Sequence, residues 1–221
     1  MTIFPLATQT ATIDGVSFAA NPGKLLAPLR QTFEALGLPV RFVDGRLTVA
    51  GREVSESGPT LPDGTRLVPL RALRGWNVSV EWDAEARRAR LDHKDKEVFV
   101  CLGEKRVTID KSAQELRAVQ GNLVVLRAKV STGRKSKRTP NGSFSAGPYK
   151  ARMHRSSLYD DAPMPYSVQI IGDIFVHGYP SVPDYPASHG CIRLPTDGTA
   201  RYFYEWVELG TPVEIVGRWR A

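Results

Sequence analysis

Residues 177–194 read HGYPSVPDYPASHGCIRL and hold two of the four histidines and one of the two cysteines of the chain. Placing such sparingly used residues together among glycines and prolines leaves three readings: a buried structural thiol, a metal site, or a nucleophile with its base. A thiol with a pKa near ~8.5 is mostly protonated at neutral pH, so a nucleophilic cysteine needs a base or a positive field beside it. His177 closes the apolar stretch IIGDIFVHG and is the candidate base, with Gly178 next to it permitting close approach of backbone or substrate. Cys191 follows after a Pro-rich loop able to fold back on His177. The turn Ser188-His189-Gly190-Cys191 supplies consecutive backbone N–H groups near the sulfur, the donors that an acyl-transfer oxyanion requires.

The metal reading would use His177, His189 and Cys191 as three zinc ligands with an open position. It is disfavoured because no second CxxC pair appears and because His189 and Cys191 stand closer than the usual zinc spacings. A core thiol with two hydrogen-bonded turn histidines is the ordinary reading of any one of these residues, and three gathered in one loop argue against it.

Working outward, SHGCIRL is preceded by VSTGRKSKRTPNGSFSAG from position 130 and by Met164-Pro165, and is followed by GTPVEIV near the C-terminus. In this order the motifs resemble the L,D-transpeptidase catalytic domain over roughly residues 96 to 217, with a loop between His177 and Cys191 that is short for the family. The resemblance implies that Cys191 is the nucleophile and His177 its general base, with the Gly178 carbonyl orienting the imidazole. His189, Gly190 and Cys191 would present the oxyanion amides, and Ser188 of the same turn is a candidate for contacting substrate. For Arg193 two readings stand side by side: its planar fork binds a substrate carboxylate, or it pairs with a local acid. Tyr149, His154 and Met164 are candidates for lining the substrate groove.

The implied chemistry is ping-pong acyl transfer with no metal or other cofactor. Cys191 would form a thioester with a peptidoglycan stem peptide, release the terminal D-Ala, and pass the acyl group to an amine as a 3→3 crosslink. Capture by water would make the protein an L,D-carboxypeptidase. A protein that kept the fold without activity would be a wall-binding module. A wall-directed cysteine peptidase usually carries its Cys before its His, the reverse of the order here. The family also implies acylation by carbapenems, a role in wall biogenesis and cell shape, and an exported location in the periplasm or cell wall. The opening MTIFPLATQT has no basic segment followed by an apolar run, so export is expected from the substrate alone.

Composition agrees with a folded chain of one large or two small domains: 221 residues, 42% of them hydrophobic, and no run near the roughly 18 apolar residues of a membrane span. The net charge of +7 favours acidic partners. Nucleic acid is disfavoured, because the only dense basic run, Arg134-Lys135-Ser136-Lys137-Arg138, has no interleaved aromatics for base stacking. An acidic wall polymer fits the same charge.

The first part of the chain contains a repeat. Leu26-Ala27-Pro28-Leu29-Arg30 recurs as Leu67-Val68-Pro69-Leu70-Arg71, a shift of 41 positions. Each copy predicts a short helix with Pro28 or Pro69 at its first position and Gly37 or Gly75 at its end, then strand, turn, strand. In the second copy Val78, Val80 and Trp82 alternate with polar residues as in a half-buried strand. With the earlier ATIDGV, the pattern resembles the stalk-like N-terminal domain of copper amine oxidases, a spacer or adhesion module that would associate with the wall surface. No copper is implied, since no His or Cys occurs up to residue 92.

The expected architecture is therefore an α+β stalk-like domain, residues 1–92, followed by a predominantly β catalytic domain, residues 93–221, an L,D-transpeptidase-type β-sandwich with one late helix. Its predicted strands are VFVCL, RVTID, LRAVQG, LVVLRAKVS, IIGDIFVHG and PVEIVG. The helix is ARYFYEWVEL, capped by Thr196 or Asp197 and followed by Gly210. Cys101, inside VFVCL, reads as an inert buried thiol.

Overall fold

The computed structural model describes residues 9–44 and 46–218, which divide into two compact units. The first runs up to Ser17 and takes Gly23–Gly103 and Gln120–Leu123; the second takes Phe18–Pro22, Glu104–Val119 and the residues from Val124 onward.

The elements up to residue 101 are β1 (Gln9–Asp14), β2 (Val16–Phe18), β3 (Asn21–Pro28), α1 (Leu29–Ala35), β4 (Val40–Val43), β5 (Arg46–Val49), β6 (Arg52–Glu53), β7 (Leu67–Pro69), β8 (Ser79–Asp83), β9 (Arg88–His93) and β10 (Lys96–Cys101). Each repeat gives a helix and then a hairpin, β4–β5 in the first copy and β8–β9 in the second. The second helix, Leu70–Trp76, is a 3-10 helix. Its left-handed end residue is Asn77 (φ 57°), whereas in the first copy Gly37 takes that role (φ 74°) as expected. Asn is the side chain that best tolerates this conformation, so Gly75 was not needed for it.

The prolines also serve differently from the sequence expectation. Pro28 and Pro69 are the helix N-caps and the last residues of β3 and β7. Proline has no N–H to give a ladder and is tolerated at such strand ends. The two repeat segments pair antiparallel with each other, Leu26 opposite Pro69, Ala27 opposite Val68 and Pro28 opposite Leu67. Their apolar faces enter a core built around Phe33, which meets Trp76 edge-on at 4.9 Å between ring centroids. The Trp76 indole N–H donates to the Val49 carbonyl at 3.0 Å. Trp82 departs from the predicted alternation and is 51% exposed.

The stretch VFVCL lies in β10, which pairs antiparallel with β9 and parallel with β1 in the sheet order β1-β10-β9-β8. Cys101 at its end is a free, half-buried thiol.

The remaining elements are β11 (Lys105–Asp110), β12 (Glu115–Gln120), β13 (Leu123–Lys129), β14 (Gly142–Ser145), β15 (Lys150–Ser156), β16 (Ala162–Ile171), β17 (Ile174–Gly178), β18 (Ile192–Leu194), α2 (Thr199–Trp206) and β19 (Pro212–Val216). They form two sheets, β13-β12-β11-β19-β14 and β15-β16-β17-β18. IIGDIFVHG is two strands rather than one, because Gly172 (φ 49°) turns the chain between β16 and β17. Strands β14, β15 and most of β16 were not anticipated; they are rich in Pro, Gly, Ser and charge and lack a clear period-2 pattern.

Helix α2 packs on β16 and β17. It begins after Gly198, its N-cap, while the Asp197 carboxylate accepts the Thr199 N–H at 3.0 Å. It ends earlier than ARYFYEWVEL suggests because two lysines meet its last carbonyls. Lys105 Nζ donates to Trp206 O at 2.7 Å and Lys150 Nζ to Val207 O at 2.7 Å, cations at the negative end of the helix dipole.

Candidate active site

Strand β17 alternates in a way that divides its residues between two environments. Val176 and Gly178 face the core, and a Cβ built on Gly178 would lie 3.1 Å from Ala200 Cβ and 3.2 Å from Pro165 Cγ. Of the two close approaches expected at Gly178, of backbone or of substrate, the structure shows close packing against neighbouring protein, α2 included. Phe175 and His177 point the other way.

The 13 residues between Gly178 and Ile192 return the chain so that β18 lies parallel to β17, with His177 opposite Arg193. A parallel connection without a helix must be about this long. Cys191, two residues before Arg193, therefore emerges on the same face as Phe175 and His177. A cavity of about 180 Å³ opens there, lined by Cys191, His177, Arg193, Ser188, His189, His154 and Met164 among others. The hairpin β15–β16 carries His154 opposite Met164 and contributes its tip, Leu158 and Tyr159.

His177 is 5% exposed, and its Nδ1–H donates to the Gly178 carbonyl at 2.9 Å. Since a carbonyl only accepts, this fixes the tautomer and leaves Nε2 without a proton. Burial pushes the imidazole pKa down to about 4, with nearby Arg193 and His154 adding to the effect. Burial pushes the Cys191 thiol up, against the Phe175 amide and the Arg193 charge, which favour the thiolate. The thiol lies 3.5 Å from the Asp173 carbonyl oxygen. The resting pair at neutral pH is accordingly thiol and neutral imidazole, not thiolate and imidazolium.

Arg193 makes no ion pair with an acid among the described residues, and its guanidinium lies over the Tyr179 ring at 3.9 Å. Of its two sequence readings, the structural ion pair is the one the geometry lacks. His189 is exposed and its ring lies 4.5 Å from that of Tyr159. Its pKa is lowered by partial burial and by Arg134, Arg193 and Lys137.

The turn that holds Cys191 is braced from behind by the upstream motif. Ser131 and Arg193 exchange backbone hydrogen bonds at 3.2 and 3.0 Å. The Ser188 N–H donates to Thr132 O at 2.9 Å. Buried Thr139 donates its hydroxyl to Gly190 O at 2.7 Å and accepts the Gly133 N–H at 2.8 Å. Gln114 completes the brace, its Oε1 accepting the Thr132 N–H at 2.8 Å. Within the turn, Ser188 Oγ donates to Cys191 O and accepts the Gly190 N–H at 3.1 Å. The Gly190 amide is therefore engaged, whereas the amides of His189 and Cys191 have no acceptor among the described residues.

Of the residues expected from sequence, Cys191, His177, His189, Ser188, Arg193, His154 and Met164 line one cavity. Gly178, Gly190 and Tyr149 do not; Tyr149 is exposed and packs edge-on against His154, 5.3 Å between centroids. Sequence reasoning missed Phe175 and Tyr179, which the period-2 pattern on either side of His177 would have supplied, and Asp173, Leu158 and Tyr159, which sit in turns without any such signal. Among the described residues no group of three or more His, Cys, Asp or Glu is placed to hold a metal ion.

The YkuD family, L,D-transpeptidase catalytic domain, matches residues 104–215, half of the chain, and the chain belongs to that family. Among solved structures it is similar to an L,D-transpeptidase from Stackebrandtia nassauensis, at 24% identity over 52% of this chain and 57% of that one, with a TM-score of 0.48. It is also similar to one from Xylanimonas cellulosilytica, at 31% identity over 52% and 61%, TM-score 0.45. A third, from Mycobacterium smegmatis, is 18% identical over 96% of both chains, TM-score 0.48. The match thus spans less than two thirds of the first two structures. A comparison with curated proteins gives no match.

Proposed function

We propose that this protein is a cysteine L,D-transpeptidase acting on peptidoglycan stem peptides, with Cys191 as nucleophile and His177 as general base. The observation that carries the reading is the shared face of β17 and β18, which gathers Cys191, His177 and Arg193 around one cavity in a chain of this family. Because both groups rest neutral, the thiol proton passes to His177 Nε2 as sulfur attacks the stem carbonyl. The oxyanion meets the free amides of His189 and Cys191, and collapse expels the terminal D-Ala, whose amine takes the proton from the imidazolium. An amine of a neighbouring stem then attacks the thioester, giving a 3→3 crosslink and freeing Cys191. Arg193 binds a substrate carboxylate, with Tyr179 holding its plane. His154 and Met164 shape the groove.

The same reading places the protein outside the cytoplasmic membrane, where its substrate lies. We assign the first unit the role of a stalk-like spacer resembling the N-terminal domain of copper amine oxidases, supported by its duplicated helix and hairpin; β10 belongs to it by pairing. As a spacer, its exposed Phe42 and Trp82 contribute nothing to soluble-peptide turnover, and a loss of turnover in Phe42→Ser with Trp82→Ser would overturn that role.

Intact-mass measurement after incubation with a carbapenem tests the chemistry. A drug-sized gain in the wild type that vanishes in Cys191→Ala is expected. Absence of any adduct, with Cys191 still open to alkylation and no turnover of tetrapeptide stems, would overturn it.

A further inference from the structure

The basic run that composition alone left unassigned is an ordered part of the catalytic unit. Arg134, Lys135, Lys137 and Arg138 are exposed on a tight turn. The Lys137 N–H donates to Arg134 O at 2.9 Å, and Arg138 Nε donates to Lys135 O at 3.3 Å. The turn closes so tightly that a Cβ on Gly133 would lie 2.0 Å from the Lys137 carbonyl oxygen. It is fastened to the cysteine turn by the Arg134 N–H, which donates to Ser188 O at 3.0 Å. Lys111, 7% exposed, donates its Nζ to Thr139 O at 2.8 Å, and its pKa is lowered by burial first and by the charge of nearby Arg138 second.

Neither Lys111 nor Arg134, Lys135 or Lys137 forms an ion pair with an acid among the described residues. Like charges held this closely by a fixed backbone repel one another, and a bound anion relieves that repulsion. None of residues 134–138 lines the cavity, so an anion held there lies beyond whatever enters it. Residues 130–143 contain no aromatic side chain on which a nucleic-acid base could stack.

We propose that residues 134–138 form an anion-docking surface that holds carboxylates of intact peptidoglycan, on stems neighbouring the one that enters the cavity. The identity of the ligand rests on the transpeptidase reading: a polymer that presents one stem to Cys191 carries further carboxylates alongside it. Phosphate-bearing wall polymers share the chemistry but have no reason to lie beside the cysteine turn.

The test compares full-length Cys191→Ala protein with the same protein also carrying Arg134→Gln, Lys135→Gln and Lys137→Gln. Both are co-sedimented with purified sacculi, untreated, stripped of phosphate polymers with hydrofluoric acid, or carboxyl-amidated. The parent is expected to bind stripped sacculi in a salt-dependent way and to lose binding on amidation. The substituted protein is expected to bind at least fivefold more weakly and with little salt dependence. Equal binding by the two proteins, or binding abolished by phosphate removal, overturns the proposal. With Cys191 intact, the three substitutions are expected to leave carbapenem acylation and soluble-tetrapeptide turnover unchanged, and a parallel loss of both would mean a distorted turn and overturn docking. Failure of both acylation and tetrapeptide turnover in wild type and variant alike, with Cys191 still open to alkylation, would sink the transpeptidase reading, while the sedimentation result would still decide anion docking.

Discussion

His177 gives its Nδ1–H to the carbonyl of its own chain neighbour Gly178, 2.9 Å away, and so turns an unprotonated Nε2 toward the cavity that holds Cys191. The imidazole is oriented by backbone alone, with no carboxylate bonded to it among the described residues. With burial holding the imidazole near a pKa of about 4, acylation of Cys191 should keep its full rate well below neutrality and lose it only on an acid limb near that value. Because the thiol is pushed up, the rate should climb again on the alkaline side. Acylation rates followed by mass from pH 3.5 to 9 check this; an acid limb near 6.5 would contradict it.

The same group predicts a pH dependence of stability. The unfolded chain protonates its histidine near 6.5, whereas the folded chain resists protonation down to about 4. Stability from His177 is complete above the higher value and is lost as pH falls between the two, by roughly 3 kcal/mol in all. Urea unfolding of wild type and His177→Gln from pH 4 to 7 should show a flatter profile for the variant.

Thr139 joins two buried backbone groups, the Gly133 N–H and the Gly190 carbonyl. Thr139→Val leaves both unsatisfied at nearly constant volume and should cost about 1–3 kcal/mol, with slower acylation as the cysteine turn loosens. Thr139→Ser keeps the hydroxyl and should recover most of both. Thermal melts together with acylation rates distinguish the two variants.

Gly178→Ala forces a methyl against Ala200 and Pro165 and should destabilise by about 1–3 kcal/mol. Ala200→Gly alone should cost near ~1 kcal/mol, because glycine weakens a helix. The double substitution should be more stable than the sum of the two predicts, a coupling that a double-mutant cycle measures. Strict additivity would mean that the clash is relieved elsewhere.

Under the transpeptidase reading, Arg193→Gln should raise KM for a tetrapeptide stem roughly tenfold or more, the worth of a charge-assisted hydrogen bond, with a smaller effect on kcat. Arg193→Lys keeps the charge but loses the planar stacking on Tyr179 and should fall between. Steady-state kinetics on the two variants give the answer.

Much of the site was legible because its residues are close in sequence and chemically distinctive. HG closes β17 and SHGC leads into β18, and a 13-residue return sets the two strands parallel with His177 opposite Arg193, two residues after Cys191. The brace was visible as a motif without a role, since only the tertiary structure shows that Thr132 and Thr139 bond to the cysteine turn. Gln114, Asp173 and Tyr159 come from turns whose sequences resemble any surface turn. In the first part of the chain the repeat was plain, but LLAP and LVP were read only as helix entrances. Only three residues of each segment pair, too few to show a period.

That pairing gives the first unit an internal symmetry. Leu26, Ala27 and Pro28 correspond in the repeat to Leu67, Val68 and Pro69, and they meet them in reverse order, so each copy offers its counterpart the same edge it receives. This is the reciprocal contact of a two-fold symmetric homodimer. Two such copies on separate molecules would pair at a stability that depends on concentration, and carrying both in one chain makes the encounter intramolecular. The 3-10 helix and the Asn77 cap are where the second copy departs from the first.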